Sequence, residues 1–133
     1  MNTFHLQIAT PDGVFFDGEA QSLLVHAAEG DMEILAGHMD CVASLGTGRA
    51  RIRTQTGDRL AAVSGGLVTV AGGEVKLVAV TFEYAEDIDP ERARASKETA
   101  EKKIVAAKDD AALRAAEAKL LRAVSRLKVY ESI

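Results

Sequence analysis

The sequence predicts an α+β protein: an N-terminal antiparallel β-sandwich followed by a C-terminal antiparallel two-helix hairpin. The first observation is that short runs of alternating apolar and polar residues, separated by glycine turns, fill the chain up to about residue 86. The second is that no glycine follows Asp87, where alanine, lysine, arginine and glutamate take over. We therefore predict the sandwich over residues 1–86 and the hairpin over residues 87–133.

The bulk properties are those of a soluble globular protein. At 133 residues the chain suits one domain with an appendage, and no apolar run approaches the roughly eighteen residues of a membrane span. The chain begins with a strand-like pattern, so we expect no signal peptide. The single cysteine, Cys41, excludes an intramolecular disulfide. A net charge of −4 argues against nucleic acid as a partner.

In the first part of the chain, side-chain alternation defines short strands, and glycines are expected to end them. The alternation of Phe4, Leu6 and Ile8 with polar residues predicts the first strand. We predict separate strands on either side of Gly46 and Gly48, and a turn between strands at Gly65-Gly66. Arg49, Arg51 and Arg53 alternate with Ala50, Ile52 and Thr54, so one face of that strand is basic.

The last strand, over residues 74–82, is apolar on both faces. Val75 and Leu77 define one face, and Val78, Val80 and Phe82 the other. We expect this strand to be covered on each side.

Two helices are predicted after Ile88. Asp89 is a good N-cap and Pro90 suits the first helical position, so the first helix runs from there to about Ala107. A second helix starts at an aspartate cap and runs to about Tyr130. Small and apolar residues recur every seven positions in both helices and predict a seam rich in alanine: Ala93, Ala100, Ala107, Leu113, Ala116, Leu120, Ala123, Leu127 and Tyr130.

The sequence contains no convincing catalytic or metal-binding constellation. The histidines His5, His26 and His38 lack a second ligand at metal spacing, and Cys41 is expected to be a buried small hydrophobe. Glycines at 13 and 18 have P-loop spacing, but Glu19 stands where that motif needs lysine. We expect no catalytic residues, no metal and no required cofactor.

The strongest chemical signal is a group of arginines. Arg122 and Arg126 are one helical turn apart, and an antiparallel hairpin would bring them towards Arg92. The carboxylates of Glu83 and Asp89 are close to Arg92 in sequence. A guanidinium group can donate two parallel hydrogen bonds to the oxygens of one phosphate. Spacing alone favours a solvated basic helix face, and a phosphate-bearing ligand is the alternative that these arginines and carboxylates keep open.

The whole chain resembles the epsilon subunits of bacterial F-type ATP synthases. The resemblance is carried by the segments Thr10-Pro11-Asp12-Gly13-Val14-Phe15, Met32-Glu33-Ile34-Leu35-Ala36-Gly37-His38 and Ala62-Val63-Ser64-Gly65-Gly66, and by the order of a sandwich and two helices. The resemblance implies a non-catalytic subunit that couples proton transport to ATP synthesis. It also implies a peripheral location on the cytoplasmic face of the cell membrane.

The resemblance further implies the partners. The sandwich would contact the gamma subunit and the c-ring, the latter through the region of Glu29, Gly30, Asp31 and His38. The C-terminal helices would reach the alpha and beta subunits and inhibit ATP hydrolysis.

Some members of the family bind ATP as a regulatory ligand through a motif that this chain carries as Ile88-Asp89-Pro90-Glu91-Arg92-Ala93. The resemblance makes Ile88, Asp89, Arg92 and Ala93 site residues, together with Glu83, Arg122 and Arg126. Such members can carry arginine where this chain has Thr99, so we expect weaker binding. The alternative is an inhibitory interaction subunit without significant ATP binding.

Overall fold

A computed structural model of the chain describes residues 2–132. Seven strands precede two helices: β1 (Phe4–Thr10), β2 (Gly13–Ala20), β3 (Ser22–Ala27), β4 (Gly30–Leu35), β5 (Cys41–Thr54), β6 (Gly57–Ala71), β7 (Glu74–Tyr84), α1 (Pro90–Ala106) and α2 (Asp110–Glu131). A single 3-10 turn, Ala85–Asp87, stands between β7 and α1. The chain forms two compact units, one ending at Tyr84 and the other beginning at Ala85.

The strands form one sheet in the order β2-β1-β7-β6-β5-β3-β4. Every neighbouring pair is antiparallel except β1 and β7, which run parallel. A single apolar core takes Leu6 and Ile8 from β1 together with Leu23 from β3 and Ile34 from β4. Strands near both ends of the sheet thus pack face to face, and the sheet closes over itself as the predicted sandwich.

Glycines bend the long strands and do not end them, so the prediction of separate strands was wrong. β5 continues through Gly46 and Gly48, and β6 continues through Gly65 and Gly66. The pairing of β5 with β6 is interrupted between Ser44 and Thr47 and resumes in the same register. Glycine tolerates the backbone geometry of such a bend, where Gly66 has φ +123°. Each long strand can therefore contribute to both layers.

Strand β7 changes its inward face along its length, which the alternation pattern did not predict. Val75, Leu77 and Ala79 point into the core, whereas further along the strand Phe82 and Tyr84 do so. Val78 and Val80 are 56% and 65% exposed, so the expectation of a strand covered on both faces was wrong for these residues.

An aromatic cluster packs around the end of β7, the last strand of the sheet domain. Phe82 packs edge-on to Tyr84 with ring centroids 5.0 Å apart, and Phe15 lies 5.3 Å from Phe82. The Tyr84 hydroxyl donates to the Phe15 carbonyl at 2.8 Å, and the Arg59 guanidinium lies 3.5 Å above the Tyr84 ring. These contacts fix the end of β7 at the point where the sheet domain gives way to the helices.

The helical hairpin forms as predicted, with an aspartate at the start of each helix. The Asp109 side chain accepts a hydrogen bond from the Ala112 amide at 2.7 Å and caps α2. The seam is built from alanines, because Ala93 and Ala100 of α1 and Ala116 and Ala123 of α2 are all buried. Small side chains let the helix axes approach closely, but each buries little apolar area.

Candidate functional site

Asp89 starts the first helix and keeps one carboxylate oxygen available. Its Oδ1 accepts from the amides of Glu91 at 3.0 Å and Arg92 at 3.3 Å, and Pro90 occupies the first helical position. Among residues 2–132 the second oxygen, Oδ2, accepts no hydrogen bond. Asp89 is exposed, so it can cap the helix and still accept a hydrogen bond from a ligand.

The apolar residues of the motif are buried and hold its backbone in place. Ile88 is 4% exposed, and its amide donates to the Ala85 carbonyl at 3.2 Å. Ala93 is 3% exposed in the helix seam, and its amide donates to the Asp89 carbonyl at 3.0 Å. These two residues therefore position the first turn of α1 and offer little side-chain surface to a ligand.

The hairpin brings the two ends that carry the arginines together. Helix α2 packs along α1 and also contacts the 3-10 turn that precedes α1. Arg92 is exposed on the first turn of α1, while Arg122 and Arg126 are half-buried on α2. The antiparallel arrangement is the one the sequence predicts, and the convergence of the three guanidinium groups on one ligand stays a prediction.

Two further positions bear on that site. Glu83 lies on β7, opposite Ala62 of β6, and is half-buried in the sheet domain. Thr99 is exposed on α1, and its hydroxyl donates to the Ala95 carbonyl at 2.9 Å, one helical turn back. A hydroxyl held against the helix backbone is a poor substitute for an arginine fork.

The residues expected at a subunit interface lie around strand β4. Glu29 is in the exposed turn between β3 and β4, Gly30 begins β4, and Asp31 accepts from His26 Nδ1 at 2.9 Å. His38 follows β4, with its Nδ1 2.8 Å from the Met39 carbonyl oxygen. Their role as contacts to another subunit stays a prediction.

The prediction of a buried Cys41 was wrong, and His5 has two partners that the sequence did not predict. The Nε2 atom of His5 lies 2.6 Å from Asp17, and its Nδ1 atom lies 2.5 Å from Glu74. These two carboxylates raise the pKa of His5, with the hydrogen bond to Glu74 as the larger cause. Cys41 is only half-buried, and its Sγ lies 4.0 Å from His38 Nδ1. The contacts of His5 cross from β1 to β2 and β7, so only the strand pairing shows them.

The sequence reasoning missed a cationic groove on the hairpin. Arg122 lines it together with Lys103, Lys108 and Lys119, next to the turn that joins the helices. Lys103 and Lys119 are sixteen positions apart, so no local spacing rule could bring them together. The signal that was available is the predicted hairpin, which places the end of α1 beside the start of α2.

The structure thus defines a class: a small β-sandwich protein with a C-terminal helical hairpin whose first helix opens on a capped Ile-Asp-x-x-Arg-Ala turn. The sequence model described as ATP synthase, Delta/Epsilon chain, beta-sandwich domain matches residues 3–85. The model described as ATP synthase, Delta/Epsilon chain, long alpha-helix domain matches residues 86–131. The chain therefore belongs to the ATP synthase delta/epsilon chain family.

Curated relatives match along nearly the whole chain. The ATP synthase epsilon chain of Bacillus velezensis is 43% identical over 129 residues, which cover 97% of this chain and 98% of that protein. The ATP synthase epsilon chain of Halalkalibacterium halodurans is 40% identical, with 97% and 98% covered. Family membership thus confirms the sequence-based resemblance.

Solved structures show the same fold. A chain of the Euglena gracilis mitochondrial ATP synthase superposes with a TM-score of 0.79 at 24% identity, covering 98% of this chain and 80% of that one. A chain from the central stalk and c-ring of the Tetrahymena thermophila mitochondrial ATP synthase gives a TM-score of 0.61 at 17% identity, with 95% of each chain covered. Within residues 2–132, no helix is long and apolar enough to cross a membrane.

Proposed function

We propose that the chain is the epsilon subunit in the central stalk of a rotary ATP synthase. In this role it couples proton transport to ATP synthesis without catalysing a reaction itself. The observation that carries the proposal is the match of both domains, in the same order, to the delta/epsilon chain models over residues 3–131. The sheet domain contacts the gamma subunit, and the segment from Glu29 to His38 contacts the c-ring. As part of the ATP synthase complex, the subunit is then peripheral on the cytoplasmic face of the cell membrane.

The helices carry the regulatory part of the proposal. When extended, they reach the alpha and beta subunits and inhibit ATP hydrolysis, and ATP binding stabilises the folded hairpin. Asp89 Oδ2, Arg92, Arg122 and Arg126 hold the nucleotide, with Glu83 as a further contact. The support is that the motif turn and the end of α2 lie together in the folded hairpin and that Asp89 keeps an acceptor free. A ligand that binds the folded hairpin more tightly than the extended form stabilises the folded form, and the stabilisation grows with the ligand concentration relative to the dissociation constant.

Calorimetric titration of the intact chain with ATP tests the site. Arg122→Ala and Arg126→Ala are each expected to weaken ATP binding about ten- to a hundredfold, because each removes a charge-assisted contact of roughly 1.5–3 kcal/mol. Arg114→Ala is the matched control, since Arg114 is an exposed arginine on the same helix. Unchanged affinity in both site variants would refute the nucleotide site. Binding to the gamma subunit would then leave the second candidate, an inhibitory interaction subunit without regulatory ATP.

A further inference from the structure

A groove of about 590 Å³ lies on the hairpin beside the turn that joins α1 to α2. We call it the turn groove. Its charged lining consists of Lys103, Lys108, Lys119, Arg122 and Asp109, and the remaining lining residues are alanines. The whole groove is built from the two helices and the turn between them. Alanine side chains are short, so they leave space between the charged groups.

Two of the cations are close enough to repel each other. The charge of Lys103 lowers the pKa of Lys119, and loss of hydration and the charge of Arg122 lower it as well. Like charges held together on neighbouring helices oppose the packing that brings them together. The repulsion between Lys103 and Lys119 therefore destabilises the folded hairpin at the turn groove.

Among the described residues, the cations of the turn groove have no carboxylate partner in an ion pair. Asp109 is in the lining, but its carboxylate accepts from the Ala112 amide and caps α2. The groove thus has three ammonium groups and one guanidinium group without a counter-ion of their own.

We propose that the turn groove binds a small oxyanion with two or more negative charges, of the phosphate or diphosphate class. Such an anion can accept hydrogen bonds from Lys103 and Lys119 together, so it turns their repulsion into a bridge between the helices. Arg122 adds a fork suited to phosphate oxygens, and the start of α2 adds the positive end of a helix dipole. The groove is therefore a second place where an anion can hold the hairpin together.

This inference does not depend on the proposed nucleotide site, with which the turn groove shares only Arg122. The anion has two sources that present the same chemistry, namely free inorganic phosphate or diphosphate and the phosphate chain of a nucleotide. Competition between ATP and diphosphate distinguishes the two sources. Arg122 is left unchanged in every variant of this test, because it is shared with the proposed nucleotide site.

The test is calorimetric titration of the intact chain with sodium diphosphate, and separately with sodium phosphate, at low ionic strength. The double variant Lys103→Gln/Lys119→Gln is expected to bind diphosphate at least about tenfold more weakly, because two charge-assisted contacts are lost. Lys97→Gln/Lys128→Gln is the matched control. It removes the same charge from the same two helices outside the groove, and its affinity should stay within about twofold of the parent chain.

Equal losses in both double variants would overturn the proposal, since they would indicate attraction to overall charge. No binding by the parent chain at millimolar diphosphate would also overturn it. NMR titration of the parent chain gives a check that needs no variant: the pKa of Lys119 should rise when diphosphate is added, and an unchanged value would count against the groove. If ATP displaces diphosphate, the nucleotide supplies the anion. If both bind together, the groove takes the free ion.

Discussion

At the scale of single residues, Gly66 shows how closely the strands of the sheet domain approach each other. A Cβ atom built on Gly66 would lie 2.0 Å from the Val78 carbonyl oxygen and 2.8 Å from the Ala79 Cα. Backbone atoms cannot move aside as the end of a flexible side chain can. The pair Gly65-Gly66, which the sequence suggested as a turn, therefore contains at Gly66 a position where only glycine lets β6 lie this close to β7.

Gly66→Ala is expected to destabilise the protein more than Gly57→Ala. Both glycines have a positive φ, +123° and +128°, but nothing lies within 4 Å of a Cβ on Gly57. Gly57→Ala should cost about 1–3 kcal/mol from backbone strain alone, and Gly66→Ala about 1–3 kcal/mol more from the clash. Urea denaturation measures both, and equal losses would show that the contact with Val78 does not matter.

His5 joins three strands through its two ring nitrogens, to Asp17 of β2 and Glu74 of β7. Because its pKa is raised on folding, its stabilising effect is complete below the unfolded value of about 6.5 and is lost as the pH rises through the folded value.

The variant His5→Asn should therefore lower the melting temperature most near pH 5–6, and by progressively less as the pH rises. Gln7→Asn is the control, since Gln7 is on the same face of β1 and does not titrate. Thermal unfolding over a pH series measures both variants. A melting-temperature loss in His5→Asn that does not change with pH would contradict the assignment.

At the scale of elements, the hairpin is held by a seam of alanines and two aspartate caps. Its buried alanines contribute much less than the roughly 1.5–3 kcal/mol of a buried leucine. We therefore expect backbone amides of α1 and α2 to exchange with solvent faster than those of β6 and β7. Equal protection would show that the hairpin needs no ligand or partner to hold it.

Asp89 allows the capping role and the ligand role to be separated. Asp89→Asn keeps a good N-cap, so hairpin protection should stay the same while ATP affinity falls, because the charged acceptor is lost. Asp89→Ala should reduce both, with a loss of about 1 kcal/mol of helix stability. Hydrogen exchange reports the first property and calorimetry the second. Unchanged ATP affinity in Asp89→Asn would leave Asp89 as a cap only.

At the scale of the whole molecule, the two compact units divide between Tyr84 and Ala85, and the family models divide one residue later, between residues 85 and 86. The proposed regulation is a shift between a folded and an extended hairpin. ATP can shift that equilibrium only by the difference between its affinities for the two forms. The ATP concentration at which inhibition is relieved is therefore set by how tightly the folded hairpin binds ATP.

In a reconstituted ATP synthase carrying this subunit, Arg126→Ala should raise the ATP concentration that relieves inhibition of hydrolysis about ten- to a hundredfold. Arg114→Ala should leave that concentration unchanged. ATP hydrolysis measured over a range of ATP concentrations gives the midpoint. Identical midpoints in all three proteins would mean that hairpin ATP binding does not control inhibition.

Local chemistry determined much of this protein from its sequence alone. Three features depend on residues only a few positions apart and can therefore be predicted from the sequence. They are the strand alternation of Phe4, Leu6 and Ile8, the helix cap at Asp89 and the alanine seam. The division into a sheet and two helices followed from the same patterns. The motif from Ile88 to Ala93 could likewise be recognised without a structure.

Only the tertiary structure decided what depends on distant residues. Pairing across strands showed that Gly65 and Gly66 sit within one long bent strand, that Phe82 turns inward and that His5 meets Asp17 and Glu74. Packing of the helices placed Lys103 beside Lys119 in a groove that neither helix contains alone. Sequence periodicity describes one element at a time, whereas the paired long strands, the contacts of His5 and the turn groove exist only where two or more elements meet.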